Sequence, residues 1–246
     1  MLGTSSSEAT MFRIVLPLFC VLLSACTLAP PAGIDGPSGG VFADGNGALS
    51  PAAGDAQLGA VVARTLPVAE QVCRAERIVR NCDFVVLLDA DPSAPPNAFQ
   101  TEGPNGEAVL IVTAALLAEM RNEHELAFVL GHEAAHHILG HIPKARESAA
   151  RGAVLAAVLA EMSGLQGEDL VAVQSIGAEL GVRGFAKTFE LEADALGTVI
   201  AARSGYDPLT GVLYFDRIDD PGNVFLGTHP PNSERIDVVR RVAAGL

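Results

Sequence analysis

Two histidines four residues apart, His132 and His136, lie in a segment whose two ends carry helix signals. Asn122 has the short polar side chain that caps helix N-termini, and Glu125 follows three residues later, as in a capping box. At the other end the apolar pattern stops before Pro143. Residues four apart in a helix lie about 40° apart around its axis. We therefore predict one helix that presents both imidazoles on one face.

The residues around these histidines suit a hydrolytic zinc site. Two imidazoles on one helix face can bind one ion, and catalytic zinc commonly has three protein ligands and an open position for water. Glu133, beside the first histidine, can reach that water as a general base. A helix that carries these residues without a metal is the alternative interpretation. We interpret His137 as structural or as a neighbour of the ligands, His141 at the helix end as no ligand, and His124 as solvated.

The third ligand has to come from another part of the chain, because no histidine extension of the metzincin type follows His136. Residues 189–194 predict a second helical stretch, in which Glu190 and Asp194 share a face. One carboxylate can bind zinc while the other accepts the N–H of a ligand histidine. We favour Glu190 as the ligand and Asp194 as the acceptor. Glu192, which lies on another face, is the competing ligand.

Four blocks of the sequence resemble one family of zinc metallopeptidases. The blocks are HEAAHHILGH at 132–141, ELEAD at 190–194, GYDP at 205–208 and HPPNSERI at 229–236. Their order, with a weaker match at 97–99, is similar to that of the HtpX and CAAX-prenyl-protease-like peptidases, peptidase family M48. The resemblance covers residues 97–236. It implies a gluzincin-type site with the ligands named above and one Zn²⁺ per chain.

The resemblance also implies roles for residues outside the zinc helix. His229 is expected to approach the site from a later loop, where it can stabilise a developing oxyanion or gate the metal. Arg235 is expected to be a structural or substrate-side charge. Lys187 departs from the family pattern, because many relatives carry arginine there, and this puts a bidentate contact at that position in doubt.

The remaining pattern predicts an α+β, mainly helical domain of zincin-like type, with a small β-sheet beside the zinc helix. Residues 57–80 have a helical pattern that Pro67 interrupts. Two apolar runs, 84–88 and 108–112, predict strands. We expect residues 109–112 to form a sheet edge that holds an extended substrate; an interior position for this strand is the alternative. The apolar residues 149–162 predict a buried or hairpin helix, and 163–180 a second one.

The N-terminal residues predict export and lipid attachment. Arg13 precedes an apolar run at 14–23 that fits a signal-peptide core, and Cys26 ends a segment that resembles a bacterial lipobox. We therefore expect a leader at 1–25, lipidation of Cys26, a flexible Pro/Gly-rich tether at 26–56 and a peptidase domain at 57–246. Ordinary secretion with cleavage near Ala25 is the alternative. Thr27 after the cysteine favours the outer membrane, on the periplasmic side, by resemblance.

Cysteine use and charge restrict the partners. Once Cys20 leaves with the leader and Cys26 is acylated, Cys73 and Cys82 remain and predict a disulfide; two buried thiols are the alternative. The formal net charge of −13 gives no electrostatic footprint for nucleic acid.

Together these features predict a zinc-dependent endopeptidase that hydrolyses peptide bonds in periplasmic or envelope proteins, as in protein quality control. Its partners would be protein or peptide substrates and a membrane reached through the lipid anchor; the sequence carries no signal for an oligomeric state. A zinc-binding, chaperone-like or scaffold lipoprotein that cleaves little is the alternative.

Overall fold

The computed structural model describes residues 51–225 and 227–246. They form one three-stranded sheet packed beside helices, which confirms the predicted mainly helical α+β class. The predicted leader, Cys26 and most of the expected tether lie outside the described residues. The strands are β1 (Phe84–Asp89), β2 (Ala98–Glu102) and β3 (Ala108–Thr113). The helices are α1 (Pro51–Glu76), α2 (Ala114–Glu119), α3 (Glu123–Ile138), α4 (His141–Met162), α5 (Gly167–Arg203), α6 (Pro208–Gly211) and α7 (Asn232–Ala243), with a 3₁₀ helix (Val212–Asp216) between the last two.

The sheet places β3 between the other two strands, in the order β1-β3-β2. β3 pairs in parallel with β1, with Phe84 opposite Ala108, and antiparallel with β2, with Ala98 opposite Val112. The expectation that residues 109–112 form an edge is therefore wrong, because their backbone groups are paired on both sides. The edge nearer the zinc helix is β2, whose mixed sequence AFQTE lacks the apolar run that marked β1 and β3.

The first helix continues through Pro67, where the sequence predicted an interruption. An interior proline removes one backbone hydrogen bond and costs about 3 kcal/mol or more. The buried side chains Val61, Thr65, Ala69 and Val72 form one continuous stripe across this position, and their packing offsets that cost. α1 also begins six residues before the expected domain boundary at Gln57, at a proline, which the first turn of a helix tolerates.

A disulfide joins Cys73 near the end of α1 to Cys82 just before β1, as the sequence predicts. Their Cα atoms are 5.7 Å apart, within the usual range for such a bond. The bridge fastens the first helix to the first strand of the sheet.

Helices α4 and α5 form a long antiparallel hairpin. The pairs Ser163-Gly164 and Gln166-Gly167 lie in the turn, where the two glycines have positive φ angles of 80° and 63°. Residues 163–180 and 189–194 were predicted as separate helical stretches, but both belong mostly to the single 37-residue helix α5. None of the helices among residues 51–225 and 227–246 has the length and apolar character needed to cross a bilayer.

Candidate metal centre

The helix that carries the paired histidines is capped as its sequence predicts. The Asn122 side chain accepts a hydrogen bond from the Glu125 backbone N–H at 2.9 Å. The Glu125 carboxylate does not return this bond to Asn122; it accepts from the Arg121 N–H and pairs with the guanidinium of Arg217 at 2.6 Å. Helix α3 is therefore held at its start by a cap and a buried ion pair, and His132, Glu133 and His136 follow two to three turns later.

Two glycines, one on each helix, let α5 approach α3 closely. A Cβ atom on Gly131 would lie 2.9 Å from the carbonyl oxygen of Gly197, and one on Gly197 would lie 2.8 Å from the His132 backbone nitrogen. Only glycine fits at such a crossing without a shift of the backbone. The contact brings the C-terminal half of α5, with Glu190 and Asp194, against His132 and His136.

Three metal-binding atoms converge where the helices meet. His132 Nε2 and His136 Nε2 are 3.0 Å apart, and the two Glu190 carboxylate oxygens lie 3.3 Å from His136 Nε2 and 3.6 Å from His132 Nε2. Ligand atoms around a tetrahedral zinc ion with bonds of about 2.0–2.2 Å are separated by about 3.3–3.6 Å. The donor types fit zinc, and the two distances to Glu190 fall in this range, while the 3.0 Å between the nitrogens is shorter. Within the described part of the chain, these three residues form the group that could hold a metal.

Asp194 and Arg235 support His132 from behind. The Asp194 carboxylate lies 2.9 Å from His132 Nδ1 and accepts two hydrogen bonds from the Arg235 guanidinium, each 2.7 Å. Burial would raise the pKa of Asp194, but the hydrogen bonds from Arg235 hold it below its usual range. The guanidinium also stacks on the Phe215 ring at 3.9 Å. An ionised Asp194 favours the His132 tautomer with its proton on Nδ1, which leaves Nε2 free for a metal.

His141 and Glu192 support His136 in the same way, a contact that sequence reasoning missed. His141 Nδ1 lies 2.9 Å from His136 Nδ1, and His141 Nε2 lies 3.1 Å from a Glu192 carboxylate oxygen. Gly140, with a φ of 66°, turns the chain so that His141 begins α4 facing back towards the site. The sequence placed His141 at the end of the zinc helix and assigned it no role at the site, because spacing along the chain does not show the direction in which the next helix leaves Gly140.

The protonation of this pair follows from its surroundings. Burial lowers the pKa of His141 to about 3, and the neighbouring His136 acts in the same direction, so the His141 ring is neutral. A neutral imidazole has one donor nitrogen and one acceptor nitrogen. With His136 Nε2 free for a metal, His136 donates from Nδ1 to His141, and His141 donates from Nε2 to Glu192.

Glu133 and His229 line the same cleft, which has a volume of about 1170 Å³. Burial raises the pKa of the Glu133 carboxyl, and the nearby His132 and His136 offset only part of this effect. A carboxyl group with a raised pKa is better suited to accept and return a proton near neutral pH. His229 Nδ1 lies 3.2 Å from a Glu190 oxygen, and its side chain is half exposed. β2 forms one wall of the cleft and the base of the α4–α5 hairpin another.

Three other predicted residues lie outside the cluster of ligands. His137 is buried, contacts the Asn81 carbonyl oxygen at 2.8 Å and packs on the edge of Phe84, in agreement with a structural role. His124 was expected to be solvated, but its Nδ1 accepts a hydrogen bond from the Asp207 N–H at 3.0 Å. Lys187 donates to the side chain of Asn223 and the carbonyl of Val224, and so ties α5 to the loop before His229.

Comparison with known proteins agrees with this architecture. The chain is 29% identical over 163 residues to the beta-barrel assembly-enhancing protease of Yersinia pestis, covering 60% of this chain and 32% of that protein. It is 29% identical over 158 residues to mitochondrial metalloendopeptidase OMA1 of Saccharomyces cerevisiae, covering 60% of this chain and 43% of that protein. The matched regions thus span less than half of the length of either relative. The family model described as Peptidase family M48 matches residues 63–243, and the chain therefore belongs to peptidase family M48.

Proposed function

We propose that this chain is a zinc-dependent endopeptidase whose single Zn²⁺ is held by His132, His136 and Glu190. The observation that carries the proposal is the convergence of two imidazole nitrogens and one carboxylate at distances of 3.0–3.6 Å. Glu133 lines the same cleft, so the ligand set and a proton acceptor occur together. Family membership supports the same activity.

Each residue of the site then has a distinct task in peptide hydrolysis. A zinc ion in this site supplies Lewis-acid polarisation of the scissile carbonyl and makes water more acidic. The Glu133 carboxylate accepts a proton from the attacking water and passes it to the leaving amine. His229 donates a hydrogen bond to the oxyanion that develops, from the mouth of the cleft. Asp194 and His141 hold the two ligand histidines in the required tautomer.

The edge strand β2 is the surface on which we place the substrate. It borders the cleft, and of the described strands only β3 pairs with it, on one side of its backbone. An extended segment can add to such an edge through main-chain hydrogen bonds, which do not read sequence. We therefore propose broad specificity for unfolded or extended segments of proteins.

We further propose that the enzyme works on the periplasmic side of a bacterial envelope, lipid-anchored at Cys26, where it removes misassembled proteins. The support is the lipobox-like segment before Cys26 and the leader-like residues 1–25. The Yersinia pestis relative is named for enhancing the assembly of β-barrels. Residues 27–50 would then connect the anchor to the peptidase domain, whose first helix begins at Pro51.

One assay tests both the activity and the role of the edge strand. We expect the purified chain to cleave a destabilised variant of a small model protein much faster than its stable parent. A zinc chelator should abolish cleavage, and added Zn²⁺ should restore it. Absence of cleavage of both substrates by the zinc-loaded chain would contradict the peptidase assignment. Equal rates at the same sites in both substrates would contradict the role of β2 in substrate binding, but not the peptidase assignment.

A second prediction concerns the anchor. Cys26→Ser is expected to move the chain from the membrane fraction to the soluble fraction, because the acyl group is attached through the cysteine thiol. Cell fractionation with fatty-acid labelling measures this, and Ser38→Ala, a change in the same N-terminal segment that leaves Cys26 and the disulfide intact, serves as the control. Membrane association that persists in the Cys26→Ser chain without acyl label would show that lipidation is not the anchor.

A further inference from the structure

The hairpin of α4 and α5 exposes an unusual amount of apolar surface. Of the eighteen large hydrophobic side chains that are exposed among the described residues, nine lie between positions 154 and 185. Isolated exposed hydrophobic residues are common, but a concentration of this kind marks an interaction surface. Met162 at the tip is 81% exposed and Leu155 is 62% exposed.

The contact between α4 and α5 does not bury these side chains. The two helices pack through small residues: a Cβ on Gly152 would lie 2.1 Å from the carbonyl oxygen of Gly177, and one on Gly181 would lie 2.2 Å from that of Ser148. The backbones are therefore in contact along this line, and no large side chain lies between them. The larger apolar residues flank the line and remain unburied.

The exposed residues follow two helical stripes that end in bases. On α4, Leu155, Leu159 and Met162 lie at the spacing i, i+4, i+7, and Arg151 precedes them by one turn. On α5, Ile176 and Leu180 are followed on the same face by two bases, Arg183 and Lys187, at i+7 and i+11. Both stripes therefore run from the apolar tip of the hairpin towards cations at its base.

The charges of the hairpin suit a lipid headgroup layer. Residues 144–187 contain five bases and five acids and are neutral, although the whole chain carries −13. The bases at the foot of the α5 stripe are Arg183 and Lys187; Arg183 pairs with Glu179, as Arg151 pairs with Glu147. Basic residues beside an apolar helix stripe can reach phosphates while the stripe contacts acyl chains. The hairpin therefore adds no net charge of its own to the repulsion between the acidic domain and an anionic bilayer.

We propose that this face of the α4–α5 hairpin docks on the surface of a phospholipid bilayer. The proposal rests on the lipid anchor at Cys26, because residues 27–50 would keep the domain close to the membrane. A flexible coil of that length spans roughly 25–30 Å on average. A tether of this kind makes the second contact intramolecular, so a modest apolar stripe is enough to hold it. Docking by the hairpin would fix how the cleft faces the membrane, since α5 also carries Glu190.

The test reads the position of the hairpin in the anchored protein. Met162→Cys is labelled with an environment-sensitive fluorophore in the full chain, produced with its own leader and reconstituted in vesicles of phosphatidylcholine and phosphatidylglycerol. We expect a blue-shifted emission that brominated phosphatidylcholine quenches. The control probe is Asp237→Cys, which is exposed on α7 and lies outside both apolar stripes, and it should be neither shifted nor quenched.

A charge substitution separates the stripe from general exposure. In the Met162→Cys background, Leu155→Glu is expected to lower the ratio of docked to undocked hairpin at least about tenfold, because docking would then bury a charge in the bilayer surface in place of a leucine. Leu209→Glu, the same change at an exposed site on α6, should leave quenching unchanged. Cleavage of a soluble peptide should be equal in all these chains, so a loss of docking is distinguishable from a loss of peptidase activity.

Three outcomes would overturn the proposal. A chain that floats with the vesicles but has an unquenched probe at residue 162 has no docked hairpin. A blue shift without bromine quenching, together with cross-links between the introduced cysteines of two unlabelled Met162→Cys chains, would identify the face as an interface between copies. A chain that does not float with the vesicles lacks both the anchor and the docking surface.

Discussion

Glu133→Gln is expected to keep its zinc and to lose nearly all peptidase activity. The glutamine has the same shape but cannot accept a proton from water, and Glu133 is not one of the three converging metal-binding residues. Removal of a general base costs about 10²–10⁴-fold in rate. We therefore expect an unchanged zinc content and a strongly reduced rate of cleavage of an unfolded substrate, both measured on the same samples.

Glu123→Gln is the matched control for this variant. It makes the same change on the same helix, at the first turn of α3 and away from the paired histidines. We expect its rate and metal content to equal those of the unsubstituted chain. A Glu133→Gln chain with an undiminished rate would show that another group handles the proton.

Glu190→Ala is expected to lose zinc far more readily than Glu192→Ala. The first change removes one of three metal ligands. The second removes only the carboxylate that accepts from His141, and loss of a partner of this kind typically costs 10–100-fold in metal affinity. Competition with a chromophoric chelator measures both affinities on purified protein.

A conservative variant distinguishes positioning from simple destabilisation at Glu192. Glu192→Gln keeps an acceptor oxygen for His141 Nε2, so it should recover most of the affinity that Glu192→Ala loses. His141→Ala should weaken zinc binding to a similar extent as Glu192→Ala, because both interrupt the same hydrogen-bonded chain. If Glu192→Ala lost more zinc than Glu190→Ala, the assignment of the third ligand would be reversed.

Local features of the fold were predictable because neighbouring residues create them. The Asn122 cap, the two apolar strands, the disulfide and the i, i+4 pairs on α3 and α5 depend on residues within a few turns of one another. The same applies to the expectation that Glu190 and Asp194 share a face. The structure brings both carboxylates to the paired histidines, as that spacing suggests.

Features that depend on the whole backbone were not predictable in the same way. Pro67 has the sequence signature of a helix break, yet α1 passes through it because a buried stripe on both sides outweighs a local cost. β2 carries no apolar run, because its side chains alternate between partly buried and exposed positions along the strand. The central position of β3, and hence the edge open to a substrate, follows from its parallel pairing with β1, in which Phe84 lies opposite Ala108 although β2 intervenes in the sequence.

The sequence by itself determined the chemistry of this protein: two imidazoles, one carboxylic acid between them and a pair of carboxylates on another helix. Residue type and helical spacing are enough for that, because side-chain chemistry and the 3.6-residue turn are local properties. Tertiary structure alone decided how the site is held. The Gly131–Gly197 crossing sets the distance between the helices, and the turn at Gly140 carries His141 back to His136. The crossing depends on the close packing of backbones far apart in the chain, which spacing along the sequence does not encode. The turn depends on a positive φ at Gly140, and the packing of α4 against α5 then brings His141 beside Glu192.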